Sequence, residues 1–126
     1  MSKKKNLTLS IKQVYFDEIL AGTKKIETRE IRPKNVHRYC RVDEEGYVIE
    51  DEETGNILPV EYDTITFLTG AYKGTRPRMV VKVERADIFL LVDEETGELI
   101  ILQDEKGKDY YAAIVEYSLG EIISRP

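Results

Sequence analysis

Leu7, Leu9 and Ile11 alternate with Thr8, Ser10 and Lys12, a period of two that predicts a half-buried strand after a loose tail at residues 1–6. The period then changes. Val14-Tyr15-Phe16 and Ile19-Leu20 recur at helical spacing around Asp17-Glu18, which predicts a short amphipathic helix of about ten residues closed by Gly22. A helix of that length does not stand alone, so its apolar face must pack on a sheet. Lys25 to Ile31 reads as a second strand, ended by Pro33, which cannot donate to a ladder.

Residues 34–46 carry the least pattern. Tyr47-Val48-Ile49 and Ile57-Leu58-Pro59-Val60 face each other across an acidic turn containing Gly55 and Asn56, a hairpin signal. Thr64 to Thr69 is a strand by its β-branched content. A basic loop after Gly70 leads to a strand over 79–84, continued or followed by another over 88–92. Asp93 to Gly97 and Asp104 to Lys108 make two more turns, with Leu99 to Leu102 between them. Tyr110 to Leu119 is predicted as one long last strand, apolar on both faces and therefore central. Asp-Glu-Glu-Thr-Gly occurs at 51–55 and again at 93–97, one turn solution used twice. Seven or more strands against one or two short helices predict a β-rich α+β domain, a curled sheet or partly closed β-barrel with the helix packed against it. The 126 residues fit a single domain over 7–126.

Charge changes this picture only when it is mapped. The net charge of −5 looks wrong for a nucleic-acid binder, yet residues 43–53 hold seven acids and no base. Residues 22–41 hold seven Lys and Arg against Glu27 and Glu30. The asymmetry is local and leaves room for an anionic partner. No run approaches the roughly 18 apolar residues of a membrane span. A single cysteine, Cys40, makes no internal disulfide, and a cytoplasmic setting is expected.

The densest chemistry lies at residues 22–30. Glu27 and Arg29 are two apart, so at strand spacing a carboxylate and a guanidinium share one face while Ile26 and Thr28 point to the other. Lys24 stands just ahead. In a binding site, Arg29 offers a planar fork and Lys24 a point charge to a phosphate or base edge, while Glu27 accepts from an exocyclic amine or holds Arg29. In a catalytic site, Lys24 attacks or deprotonates with Glu27 as its proton partner. In a purely structural role, Glu27 and Arg29 form a surface ion pair worth under about 1 kcal/mol. Tyr72, with Lys73, Arg76 and Arg78, suits base stacking and phosphate contact. Lys12, at the end of the first strand, is a further candidate ligand-binding residue. His37 and Cys40 lack the additional ligands that a metal site needs, so no metal is expected. The scattered glycines form no phosphate cradle or dinucleotide fingerprint, so no cofactor is expected.

Leu9-Ser10-Ile11-Lys12, the helix ending Ile19-Leu20-x-Gly22, and then Gly22-x-Lys24-x-x-Glu27-x-Arg29 resemble the ASCH domain, a branch of the PUA-like superfamily. Leu119-Gly120-Glu121-Ile122 is similar to that family's closing strand, and residues 33–60 look like an inserted hairpin. The resemblance implies a PUA-like β-barrel with a cleft beside the helix and second strand. It also implies a link to RNA metabolism, most members being regarded as binders of RNA or modified nucleotides. In small amidohydrolase members the lysine of the motif is catalytic, and it maps onto Lys24. Those enzymes carry a threonine where this chain has Glu27, and a distant glutamate where it has the Asp93–Lys108 region.

Three functions follow as expectations. The first is binding of RNA or a modified nucleotide in a cleft lined by Lys24, Glu27 and Arg29, with Lys12, Tyr72 and Arg78 contributing. The second is an amidohydrolase acting on an acylated, N4-acetylcytidine-like nucleoside through Lys24. The third is a protein-interaction module using the 33–60 hairpin. Oligomeric state is left open.

Overall fold

Alternation at the N-terminus becomes β1 (Asn6–Ile11), with Leu7 and Leu9 buried and their neighbours outward, in a computed structural model that describes residues 4–70 and 77–126. The strand starts inside the stretch read as tail, because the Lys5 carbonyl accepts from Asp63 and Thr64 and its N–H donates to the Asp63 carboxylate. Helix α1 (Gln13–Ala21) follows, and Phe16 and Ile19, three residues apart, are its buried positions. Burial of each is worth about 1.5–3 kcal/mol, which exceeds what helix propensity supplies in nine residues. The helix stops where expected. Gly22 takes φ 81°, and the Thr23 and Lys24 N–H groups both return to the Glu18 carbonyl, at 2.9 and 3.1 Å.

The remaining elements are β2 (Ile26–Ile31), α2 (Val36–Tyr39), β3 (Thr64–Thr69), β4 (Arg78–Leu90), β5 (Ile101–Gln103), β6 (Asp109–Tyr111) and β7 (Ala113–Ser124). A five-stranded sheet runs β1-β3-β4-β7-β2, and β5 and β6 form a small two-stranded sheet. The protein is thus β-rich α+β, with two helices among the described residues. β1 is parallel to β3, Asn6 opposite Thr64 through Ile11 opposite Thr69, and β3 is antiparallel to β4. The two stretches over 79–92 are one strand as far as Leu90. β7 has a neighbour on each side, and its Val115 and Tyr117 are fully buried.

The chain divides into two compact units. The first comprises the described residues up to Glu27, those between Glu61 and Arg85, and Tyr117–Pro126; the second comprises Thr28–Val60 and Ala86–Glu116. Strands β2, β4 and β7 each pass from one unit into the other. Among the described residues, the buried apolar side chains of unit 1 are Leu7, Leu9, Phe16, Ile19, Ile65, Phe67, Met79, Val81 and Tyr117, on α1 and the sheet.

Unit 2 is built differently, by turns. Arg41, Ile49 and Leu58 close a ring of three backbone hydrogen bonds: Arg41 N–H to Leu58 O, Leu58 N–H to Ile49 O, Ile49 N–H to Arg41 O, each 2.9–3.0 Å. Leu91, Ile100 and Ala112 close the same ring, at 2.9–3.0 Å. Three chain segments meet at each ring, and acidic turns join them. In the two Asp-Glu-Glu-Thr-Gly turns, the carboxylate of Asp51 or Asp93 accepts from the N–H groups two and three residues on, and Thr54 or Thr96 accepts from the residue after the glycine. Gly55 and Gly97 both sit at φ 74°, which leaves the Asp, Thr and Gly positions chemically specified. Asp43 and Asp104 cap two shorter turns, each accepting from the N–H groups two and four residues on. The turn solution used twice in sequence is therefore part of a larger repeated arrangement.

One prediction needs correction. Tyr110 to Leu119 is not a single strand. The Ala112 N–H and C=O are taken by Ile100 and Leu91, so the chain leaves its pairing with β5 there and enters the large sheet as β7.

Candidate functional site

The turn after α1 delivers Lys24, and the first residues of β2 deliver Glu27. Both belong to unit 1. Along β2, Ile26, Thr28 and Glu30 are exposed, while Glu27, Arg29 and Ile31 face inward, so the alternation read from the sequence is the one observed. Glu27 is a buried carboxylate at 6% exposure, an unusual position for an acid in a strand. The Lys24 Nζ lies 3.5 Å from its Oε1. The same Nζ sits 5.3 Å from the centre of the Tyr15 ring, on the outer face of α1. Tyr15 itself is 43% exposed.

The result is a compact group of three: a buried acceptor, a half-buried cation and an aromatic face open to solvent. The turn holds it firmly, because the backbone N–H of Lys24 is bonded to Glu18 and the Lys25 carbonyl accepts from Leu119 on β7 at 2.8 Å. Arg29 is half-buried on the same face of β2, in the part of the strand that belongs to unit 2.

The other predicted residues lie elsewhere. Lys12 is the residue before α1, at the opposite end of the helix from Lys24. It shares one end of the sheet with Arg78, since Ile11 is opposite Thr69 and the Thr69 N–H donates to Pro77. Lys12 and Arg78 flank β3 there, on opposite sides of it. Tyr72, Lys73 and Arg76 lie outside the described residues.

Sequence reasoning missed Tyr15. It read the Val14-Tyr15-Phe16 triplet as part of the apolar face, and Tyr15 stands at the edge of that face, about 40° from Ile19 and about 100° from Phe16 on the helical wheel, where it is left open to solvent. The helical pattern alone carried no signal for its exposure, because Tyr15 and buried Ile19 are four residues apart.

Cys40 is buried, and burial pushes its thiol up to about 11. It is held as a thiol at neutral pH, with His37 exposed to solvent nearby in sequence. Among the described residues, no group of three or more His, Cys, Asp or Glu is placed to hold a metal ion. No helix among them is long and apolar enough to cross a membrane. Compared with family models, curated proteins and solved structures, the chain finds no match.

Proposed function

We propose that this protein is a PUA-like domain of the ASCH type, acting in the cytoplasm, which binds RNA or a modified nucleotide through Lys24, Glu27 and Tyr15. The observation that carries this reading is the placing of one amine against both a buried carboxylate and an exposed ring. Single-stranded RNA is recognised by stacking bases on aromatic side chains and by bonding their edges, with cations on the backbone. Tyr15 supplies the stacking face. Glu27 accepts from an exocyclic amine such as that of cytosine, and Lys24 takes a phosphate or a base carbonyl. Charge supports the same reading, since the stretches of unit 1 carry twelve Lys and Arg against seven Asp and Glu. Hydrolysis of an acylated nucleoside through Lys24 remains the enzymatic alternative, and release of acetate from N4-acetylcytidine is its assay.

The test of the binding reading is fluorescence anisotropy of a short labelled single-stranded RNA at low and moderate salt. Wild type should bind saturably, and its log–log salt slope should be about −0.7 per phosphate neutralised. Tyr15→Ala should weaken binding by about 1–3 kcal/mol, and Lys24→Ala should weaken it and flatten the slope. Equal binding by all three proteins would place any RNA site elsewhere.

A second reading is supported by a different observation. Tyr47, Val48 and Ile49, in the segment read as an inserted hairpin, are exposed. A photo-crosslinking residue at position 47 should give a discrete protein adduct in cells if this segment is a protein contact. Absence of an adduct would remove that reading.

A further inference from the structure

Unit 2 contains a groove of about 380 Å³ whose lining includes Arg32, Lys34, Gln103, Glu105, Lys106 and Tyr110. The stretches of this unit carry only seven Lys and Arg against seventeen Asp and Glu, and three of those seven cations converge here. The backbone that presents them is well held. Arg32 and Asn35 close a turn through Arg32 N–H to Asn35 Oδ1 at 2.7 Å and Asn35 N–H to Arg32 O at 3.0 Å. Lys106 rides on the turn capped by Asp104, whose Oδ1 accepts its N–H at 2.8 Å. Tyr110, on β6, is paired with Leu102 and half-buried.

Two of the cations are occupied by carboxylates. Arg32 donates from Nε and Nη2 to one oxygen of Glu30, at 3.2 and 2.6 Å, and this bond raises the guanidinium's pKa. Lys34 is 2.5 Å from the carboxylate of Glu105, with both side chains more than 70% exposed. An ion pair that open to water contributes little, so its partner is easily exchanged. A phosphate brings about two charges and three acceptor oxygens, more than one carboxylate provides. The groove is near the lower end of the roughly 300–1,000 Å³ range of ligand pockets, the size of a mononucleotide and too small for an oligomer.

We propose that this groove binds a small phosphomonoester carrying a planar ring, of the mononucleotide class. Lys34, Arg32 and Lys106 take the phosphate, Tyr110 takes the ring, and the Glu105 carboxylate is a built-in competitor that the phosphate displaces. The site shares no residue with the Lys24 cluster and stands independently of the RNA reading.

Site-resolved NMR of the full chain, titrated with uridine monophosphate, tests it, with inorganic phosphate and uridine as separate probes. The monophosphate should shift the amides of 32–34 and 104–110 saturably, phosphate should shift them more weakly, and uridine should leave them in place. Lys34→Ala should weaken the response about tenfold or more, the loss of a charged hydrogen bond. Glu105→Gln should strengthen it roughly two- to fivefold, the release of an exposed ion pair. A structural role for Glu105 predicts no such gain. Three outcomes would overturn the proposal: no shift of these amides at millimolar ligand, an equal response to uridine alone, or weaker binding by Glu105→Gln. Shifts confined to Lys24 and Tyr15 would overturn it as well, while supporting the reading of that cluster.

Discussion

Unit 1 and unit 2 differ in how much of their large apolar surface they leave exposed. Unit 1 buries Ile65, Phe67, Met79 and Tyr117 completely and leaves few large apolar groups outside, among them Val14 and Tyr15 on α1. Unit 2 exposes Tyr47, Val48, Ile49, Phe89, Leu90, Val92, Leu99, Ile101, Leu102 and Tyr111. Unit 2 also buries Ile31, Tyr39, Cys40, Ala112, Ala113 and Val115, and to these it adds a set of Asp-capped turns and two closed rings of backbone hydrogen bonds. Charge follows the same division, positive by sequence in unit 1 and strongly negative in unit 2. Both regions bury side chains, but only unit 2 adds repeated Asp-capped turns and backbone rings while leaving many large apolar groups exposed. The consequence for function is that anion recognition is expected over unit 1 generally, but in unit 2 only where cations are gathered, as at the Arg32–Lys106 groove.

The largest expected effect that bears on this difference is a pair of truncations. Phe67→Ala should cost about 3–5 kcal/mol in urea unfolding, because a fully buried ring leaves a cavity. Ile101→Ala, at 57% exposure, should cost under about 0.5 kcal/mol. A large cost at Ile101 would mean that its side chain is covered in solution, and the contrast between the units would fail.

A smaller effect is expected at the turn that carries the candidate site. Gly22 is at φ 81°, and nothing lies within 4 Å of where a Cβ would stand. Gly22→Ala should therefore cost about 1–2 kcal/mol, all of it backbone strain. The thermal midpoint should fall accordingly, and RNA binding with it if Lys24 is displaced.

The smallest effect sharpens the account of unit 2. Hydrogen bonds from the Thr54 and then the Glu53 N–H lower the Asp51 pKa below its ordinary 3.8. A depressed folded-state pKa means stability that is present above about 3.8 and lost as pH falls through the folded value. Asp51→Asn keeps an acceptor but has nothing to titrate. Its urea midpoint should lack the part of the acid loss that wild type shows in this window, and identical pH profiles would show that the cap contributes nothing.

Much of this was legible in the sequence, where the determining forces are local. The alternation of Leu7, Leu9 and Ile11, the stop at Gly22 and the facing of Glu27 with Arg29 depend on backbone period and on one positive φ. The Asp, Thr and Gly of the repeated turns bond within six residues, so the motif announced its own structure. Other features depend on partners far along the chain. Tyr15 became a surface ring because Phe16 and Ile19 took the buried stripe, and it met Lys24 only once the turn had folded back. The break at Ala112 required Leu91 and Ile100 to take its backbone groups, and no side chain at 112 records that.

By itself, then, the sequence determined the β-rich α+β composition of the fold, the short helix and its stop, and the inward face of β2, since each follows from residues within a turn or a strand of one another. The tertiary structure alone decided which charges meet. Lys34 and Glu105 are 71 residues apart, and the groove they share exists only because two distant segments converge. Electrostatic and stacking chemistry acts over a few ångströms in space, and sequence separation carries no record of that distance.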